Sequence, residues 1–207
     1  MKDINDYEND LASIRTMMER SVKFLSLSGF SGILSGTYAL LGSLAAYLIL
    51  YYPNPPFGLL SQYILEEATL LKLMLIALLV LIASLATGYL LSMRKAKKIN
   101  THIWNSASKQ LLIDLIIPLV SGGLLIIIFV GQGYYEIAAP ACLVFYGLAL
   151  VQGSRSTYEE VKYLGLTEIV LGLACAVFPS LGLISWALGF GVMHIVYGSI
   201  MYFRYDR

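Results

Sequence analysis

Six apolar runs separated by polar connections account for most of this chain, at about residues 24–51, 68–93, 111–130, 136–152, 163–179 and 181–203. A hydrocarbon layer about 30 Å thick is crossed by about 20 helical residues. The pattern therefore predicts an all-α integral membrane protein with six transmembrane helices arranged as three helical hairpins. The fourth and fifth runs are short for a full crossing, so each suits either a span or a membrane-buried hairpin arm. Two regions are expected: residues 1–23 as a cytoplasmic helix and residues 24–207 as the six-span bundle.

Residues 4–25 follow a different rule. Ile4, Tyr7, Leu11, Ile14, Met18 and Leu25 recur at spacings of three and four among polar residues, which predicts a helix with one apolar stripe. No Pro or Gly intervenes before Gly29, so this helix is expected to continue unbroken into the first span. Its stripe would pack on the protein's own cytoplasmic loops or the membrane surface, or pair with a second copy or a cytoplasmic protein partner.

Composition agrees with a lipid environment: 58% of residues are hydrophobic, 13% are charged, and the mean hydropathy is +0.74. An ordinary soluble domain has about 25% charged residues. The acidic start, MKDINDYEND, lacks the basic region of a cleavable signal peptide, so the first span is expected to remain as an anchor. Thirteen of the 14 Lys and Arg residues fall in alternate connections and at the two ends, and only Lys72 lies elsewhere. Such an excess of positive charge marks the cytoplasmic side. It predicts an inner (plasma) membrane protein with cytoplasmic N- and C-termini. Tyr51, Tyr52, Tyr134 and Tyr135 at the outer boundary, with Tyr158, Tyr163, Tyr202 and Tyr205 at the inner one, fit the aromatic belts of a bilayer.

Small residues punctuate the spans. Gly32 and Gly36 continue a stripe from Ser28, and Gly122, Gly123, Gly172, Gly189 and Gly191 mark later helices. Small residues let helix backbones approach in lipid, where no hydrophobic gain drives association. They are expected to serve packing within the bundle, or homo-oligomer contact through the first span. VKFLSLS at 22–28 and VKYLGLT at 161–167 share four of seven positions, a sign of duplication.

The stretch YLGLTEIVLGLACAVFPSLGLISWALGFGVMHIVYGSIMYF, residues 163–203, carries Gly172, Pro179, Gly189, Gly191 and Gly198 in two apolar runs around a short turn. It resembles the hairpin unit of the small six-span bacterial membrane proteins of the HdeD type. The middle pair of spans is a looser version, and the first pair fits poorly. The resemblance implies three hairpins and a role in stress or acid tolerance of the cell envelope, with no catalytic residues to carry over.

Candidate chemistry rests on ionisable residues within the spans, each of which costs about 2.5 to 3.5 kcal/mol on insertion scales unless paired or hydrated. Asp114, Glu168 and His194 form a candidate ion or proton pathway. Asp114 stands four residues before Pro118, which removes the amide hydrogen that its carbonyl would have bonded, so the third span is expected to kink. The alternative is that the two acids reach the interface or neighbouring hydroxyls and that His194 is a packing residue. Lys72 and Glu136 form a candidate outer polar pair, with snorkelling open to the lysine. Cys142 and Cys175 have matching depths, yet thiols in apolar helices usually behave as small hydrophobes.

Two cysteines and two histidines do not make a metal site. No nucleophile elbow, phosphate loop or dinucleotide fingerprint occurs, so neither an enzyme nor a cofactor is expected. RKAKK at 94–98 is explained by topology and suits anionic lipid better than nucleic acid. The expected partner is the bilayer itself. The residues thus point to a non-enzymatic multi-pass protein, an accessory or a sensor, and the HdeD resemblance implies a part in envelope stress tolerance. The alternative is a small proton- or cation-coupled transporter or channel using Asp114, Glu168 and His194.

Overall fold

A computed structural model describes residues 24–51, 67–98, 100 and 103–207. All regular structure among them is helical: α1 (Gly29–Tyr51), α2 (Glu67–Lys98), α3 (Ser106–Gly131), α4 (Ala138–Gly153), α5 (Glu160–Val177) and α6 (182–206). Among the described residues five helices are long and apolar enough to cross a membrane, α4 counting with its flanking tight turns as Tyr135–Ser156. The exception is α5, whose 18 residues include Glu160, Lys162 and Glu168. Residues 1–23, with most of the predicted amphipathic helix, lie outside the described residues.

The expected unbroken passage into the first span is not found. Residues 24–28 are non-helical and α1 begins at Gly29. Their backbone groups bond to distant parts of the chain instead. Phe24 N donates to Ser156 O at 2.7 Å, Thr157 Oγ1 to Phe24 O at 2.8 Å, and Tyr158 to Leu25 O at 2.6 Å. Asp206, from the end of α6, then accepts from Gly29 N at 2.8 Å and Ser28 Oγ at 3.0 Å. A carboxylate at the first free amide satisfies an orphan donor and sits at the positive end of the helix dipole. Lys95 closes the clasp, 2.6 Å from Asp206 Oδ1 and 2.9 Å from Leu27 O. The start of α1 and the ends of α2 and α6 are thereby tied together.

Over the described residues the 22–28 and 161–167 echo does not carry into structure either, because 24–28 are non-helical where the matching positions of 161–167 are helical. A different internal likeness is present. A methyl group on Gly36 would lie 2.6 Å from Gly191 O, 2.7 Å from Ile195 Cγ1 and 2.9 Å from Ile195 N. One on Gly147 would lie 2.6 Å from Gly165 O, 2.7 Å from Ile169 Cγ1 and 2.9 Å from Ile169 N. The antiparallel pairs α1/α6 and α4/α5 thus share one mode of close approach, carbonyl against Gly Cα, available only without a side chain.

Packing departs from three simple hairpins. α2 lies along α1 and α3 along α4, as expected, but α5 packs chiefly on α4 and α6 chiefly on α1. The helices form a curved row in the order α2, α1, α6, α5, α4, α3. Gly32, Gly36, Gly172, Gly189 and Gly191 fill tight contacts within it, and Gly122 takes the Phe145 ring. Gly123 is the correction: open space surrounds it, since it falls on the face of α3 away from α4. Of the α1 glycines, Gly29, Gly32 and Gly36 are spent on α6 and Gly42 on Val80 and Ile76 of α2, which accounts for them without a second copy. α3 begins at the Asn105 cap, whose side chain accepts from Ser108 N at 2.9 Å, and continues through Pro118.

Between α2 and α3 the row is open, leaving a cleft of about 2290 Å³ along the height of the bundle. Phe24, Trp104 and Thr157 line one end, and Leu50, Tyr134 and Glu136 the other. Leu and Ile side chains dominate the outer surfaces of α2 and α3, among them Leu79, Ile82, Ile117 and Ile128.

The close approaches are testable. Gly36→Val and Gly147→Val should each lower stability by about 1 to 3 kcal/mol by overpacking, read as thermal unfolding in detergent, whereas Gly123→Ala should leave it unchanged.

Candidate functional site

Glu168 lies in the middle of α5 with no exposed surface, and neither carboxylate oxygen has a hydrogen-bond partner. It is boxed in by apolar and backbone atoms. Leu143 of α4 is likewise fully buried, and a side chain on Gly189 of α6 would collide with both Leu143 and Glu168 Oε2. Gly189 is therefore what makes room for the carboxylate. The imidazole of His194 faces it, with Nδ1 3.5 Å from Glu168 Oε1.

The imidazole is held on two sides. Nδ1 is 3.0 Å from Gly189 O, and Nε2 is 2.7 Å from the Tyr146 hydroxyl of α4. With hydrogen on Nδ1, the ring donates to Gly189 and accepts from Tyr146, so both nitrogens are satisfied. Local backbone assists: Ala187–Met193 forms a π-helical stretch, a widened turn often found at functional sites. Trp186, Phe190 and His194 recur every four residues along one face of α6. Phe190 stands 5.4 Å from Trp186, 6.0 Å from His194 and 5.1 Å from Tyr146, centre to centre.

The twin glycine contacts explain why these groups meet. Glu168 immediately precedes Ile169 and His194 immediately precedes Ile195, so acid and imidazole occupy matched places in the two helix pairs. Those pairs abut where α5 and α6 touch.

Asp114 is not part of this group. Its Oδ1 accepts from Gln110 Nε2 at 2.9 Å and its Oδ2 from Ser156 Oγ at 3.1 Å. Both oxygens are occupied by neutral donors that fasten α3 to the turn after α4. The predicted trio is thus a pair, Glu168 and His194, with Tyr146 as the third member. Tyr146 was missed, although a tyrosine in mid-span, far from either aromatic belt, needs a buried partner for its hydroxyl.

The other candidates stand apart. Lys72 and Glu136 are both exposed, and no ion pair joins them among the described residues. Glu136 borders the cleft and Lys72 does not. Cys142 and Cys175 are free thiols. No metal-binding cluster occurs among the described residues.

His194 and Tyr146 both line the cleft, with Glu168 behind them. The groups follow one another in order from the cleft: a hydroxyl, an imidazole and a sealed carboxylate. No protein-family model, curated protein or solved structure matches the chain.

Gly189→Ala should displace Glu168 from His194 and mimic Glu168→Gln, while Gly182→Ala, with only an ordinary contact to Ala139, should not. The ring-nitrogen resonances of His194 are the readout.

Proposed function

We propose that the chain is a non-enzymatic, six-helix protein of the inner membrane with cytoplasmic termini, and that it works as a small proton-coupled transporter. Support for insertion comes from the apolar outer surfaces of α2 and α3 and from the placement of Lys and Arg. The observation that carries the coupling is the sealed Glu168 carboxylate, with no hydrogen bond and His194 3.5 Å away.

The physical argument concerns net charge. A carboxyl and an imidazole that hold one dissociable proton between them, beyond the single hydrogen of the neutral ring, are neutral as a pair. Adding or removing a proton leaves an uncompensated charge in a low-dielectric interior. The pair therefore resists a change of one proton unless a compensating charge arrives or leaves nearby, which is the requirement for coupling. Passage between cleft and carboxylate takes three linked shifts: the Nδ1 hydrogen of His194 moves to Glu168 Oε1, the Tyr146 hydroxyl hydrogen moves to Nε2, and a proton from the cleft replaces it on the Tyr146 oxygen. Such a device also serves acid tolerance, the role that the HdeD resemblance implies.

In proteoliposomes under a pH gradient, the protein should move protons when its co-substrate is present. Glu168→Gln should abolish the flux and Asp114→Asn should retain it. Absence of flux from the inserted wild-type protein, or its survival in Glu168→Gln, would overturn the proposal.

A further inference from the structure

The chemistry of the cleft wall says what the co-substrate is. Among the described residues lining it there is no Lys, Arg or Asp, and its one carboxylate is Glu136 at the rim. An anionic headgroup would find no counter-charge there. The wall is mostly apolar, with neutral Ser, Thr, Tyr and Gln side chains scattered along it, and Trp186, Phe190, Tyr146 and His194 gather at one part of it. Each of the three aromatic rings is partly exposed, and a π face attracts cations, most strongly where water is excluded.

Hydrogen bonding points in the same direction. With Nδ1 donating to Gly189 O, the Tyr146 hydroxyl gives its hydrogen to Nε2 and turns lone pairs outward. The groove thus presents π faces, an acceptor oxygen and, beyond the imidazole, the Glu168 carboxylate. The fact that Gly189, Leu143 and His194 seal that carboxylate from the cleft means that a guest acts on it through space and not by contact.

We propose that the cleft binds a hydrophobic organic cation, an ammonium or phosphonium bearing apolar groups, seated against Trp186, Phe190 and Tyr146. This deepens the proton-coupled reading by naming what is exchanged for the proton, and rests on that reading for its role in transport. Binding itself can be tested separately. The volume of about 2290 Å³ leaves ample room for bulky substituents, and lateral opening between α2 and α3 gives access from the hydrocarbon layer.

Tetraphenylphosphonium and tetraphenylborate have the same shape and opposite charge, so the purified full chain in neutral detergent can be titrated with each. Both tryptophans of the chain, Trp104 and Trp186, line the cleft, and their fluorescence reports occupancy beside equilibrium dialysis. The cation should bind saturably, at least about tenfold more tightly than the borate. Phe190→Leu should weaken it by about threefold to tenfold, and Tyr146→Phe, which keeps the ring, by less. Equal binding of the two ions, non-saturable uptake, or a dimer whose second copy fills the cleft and excludes the cation would overturn the assignment. Cation binding without proton flux would sink the transport reading and leave the site. Flux without cation binding would do the reverse.

Discussion

The structure turns on one carboxylate with nowhere to go. A polar group deep in an apolar bundle must find its partners inside the protein, and Glu168 faces the imidazole of His194 at a helix contact that Gly189 permits by lacking a side chain. Around that point the other features fall into order: the matched glycine approaches of α1/α6 and α4/α5 set the spacing, and Tyr146 anchors the imidazole from the opposite helix. Other buried acids are treated differently. Asp114 is bonded on both oxygens, and Asp206 is capped by a backbone amide, a serine and a lysine. The contrast separates acids that fasten helices from the one left poised.

Stability and chemistry occupy different ends of the same helices. The clasp at Lys95 and Asp206 gathers the start of α1, the end of α2 and the end of α6, beside the Tyr158–Tyr205 stack at 4.2 Å. Halfway along, the same α6 widens into a π turn at the site. α2 and α3 each lie against one main neighbour, and the cleft between them follows from that thin attachment. The bundle, tied together at one end, is thus parted along one side.

Much of this was written in the apolar pattern. The helices of 67–98, 106–131 and 182–206 follow the expected spans with ends displaced by a few residues, because runs of that length in lipid have no alternative to helix. Glu168 and His194 were legible as misfits in apolar sequence. What could not be read was long-range. Nothing local tells that Asp206 would terminate the first helix at Gly29, nor that Ser156 and Gln110 would occupy Asp114 and remove it from the site. Gly122 and Gly123 look alike in sequence, yet only one meets α4. Tyr146 needed a partner that only the α4 to α6 contact supplies.

The most direct test of the central interaction is the nitrogen spectrum of His194 in lipid bilayers, compared between the wild-type protein and Glu168→Gln. If the acid and imidazole form one unit, the amide substitution shifts Nδ1 and, through the ring, the bond to Tyr146. Identical His194 resonances in the two proteins would contradict the account.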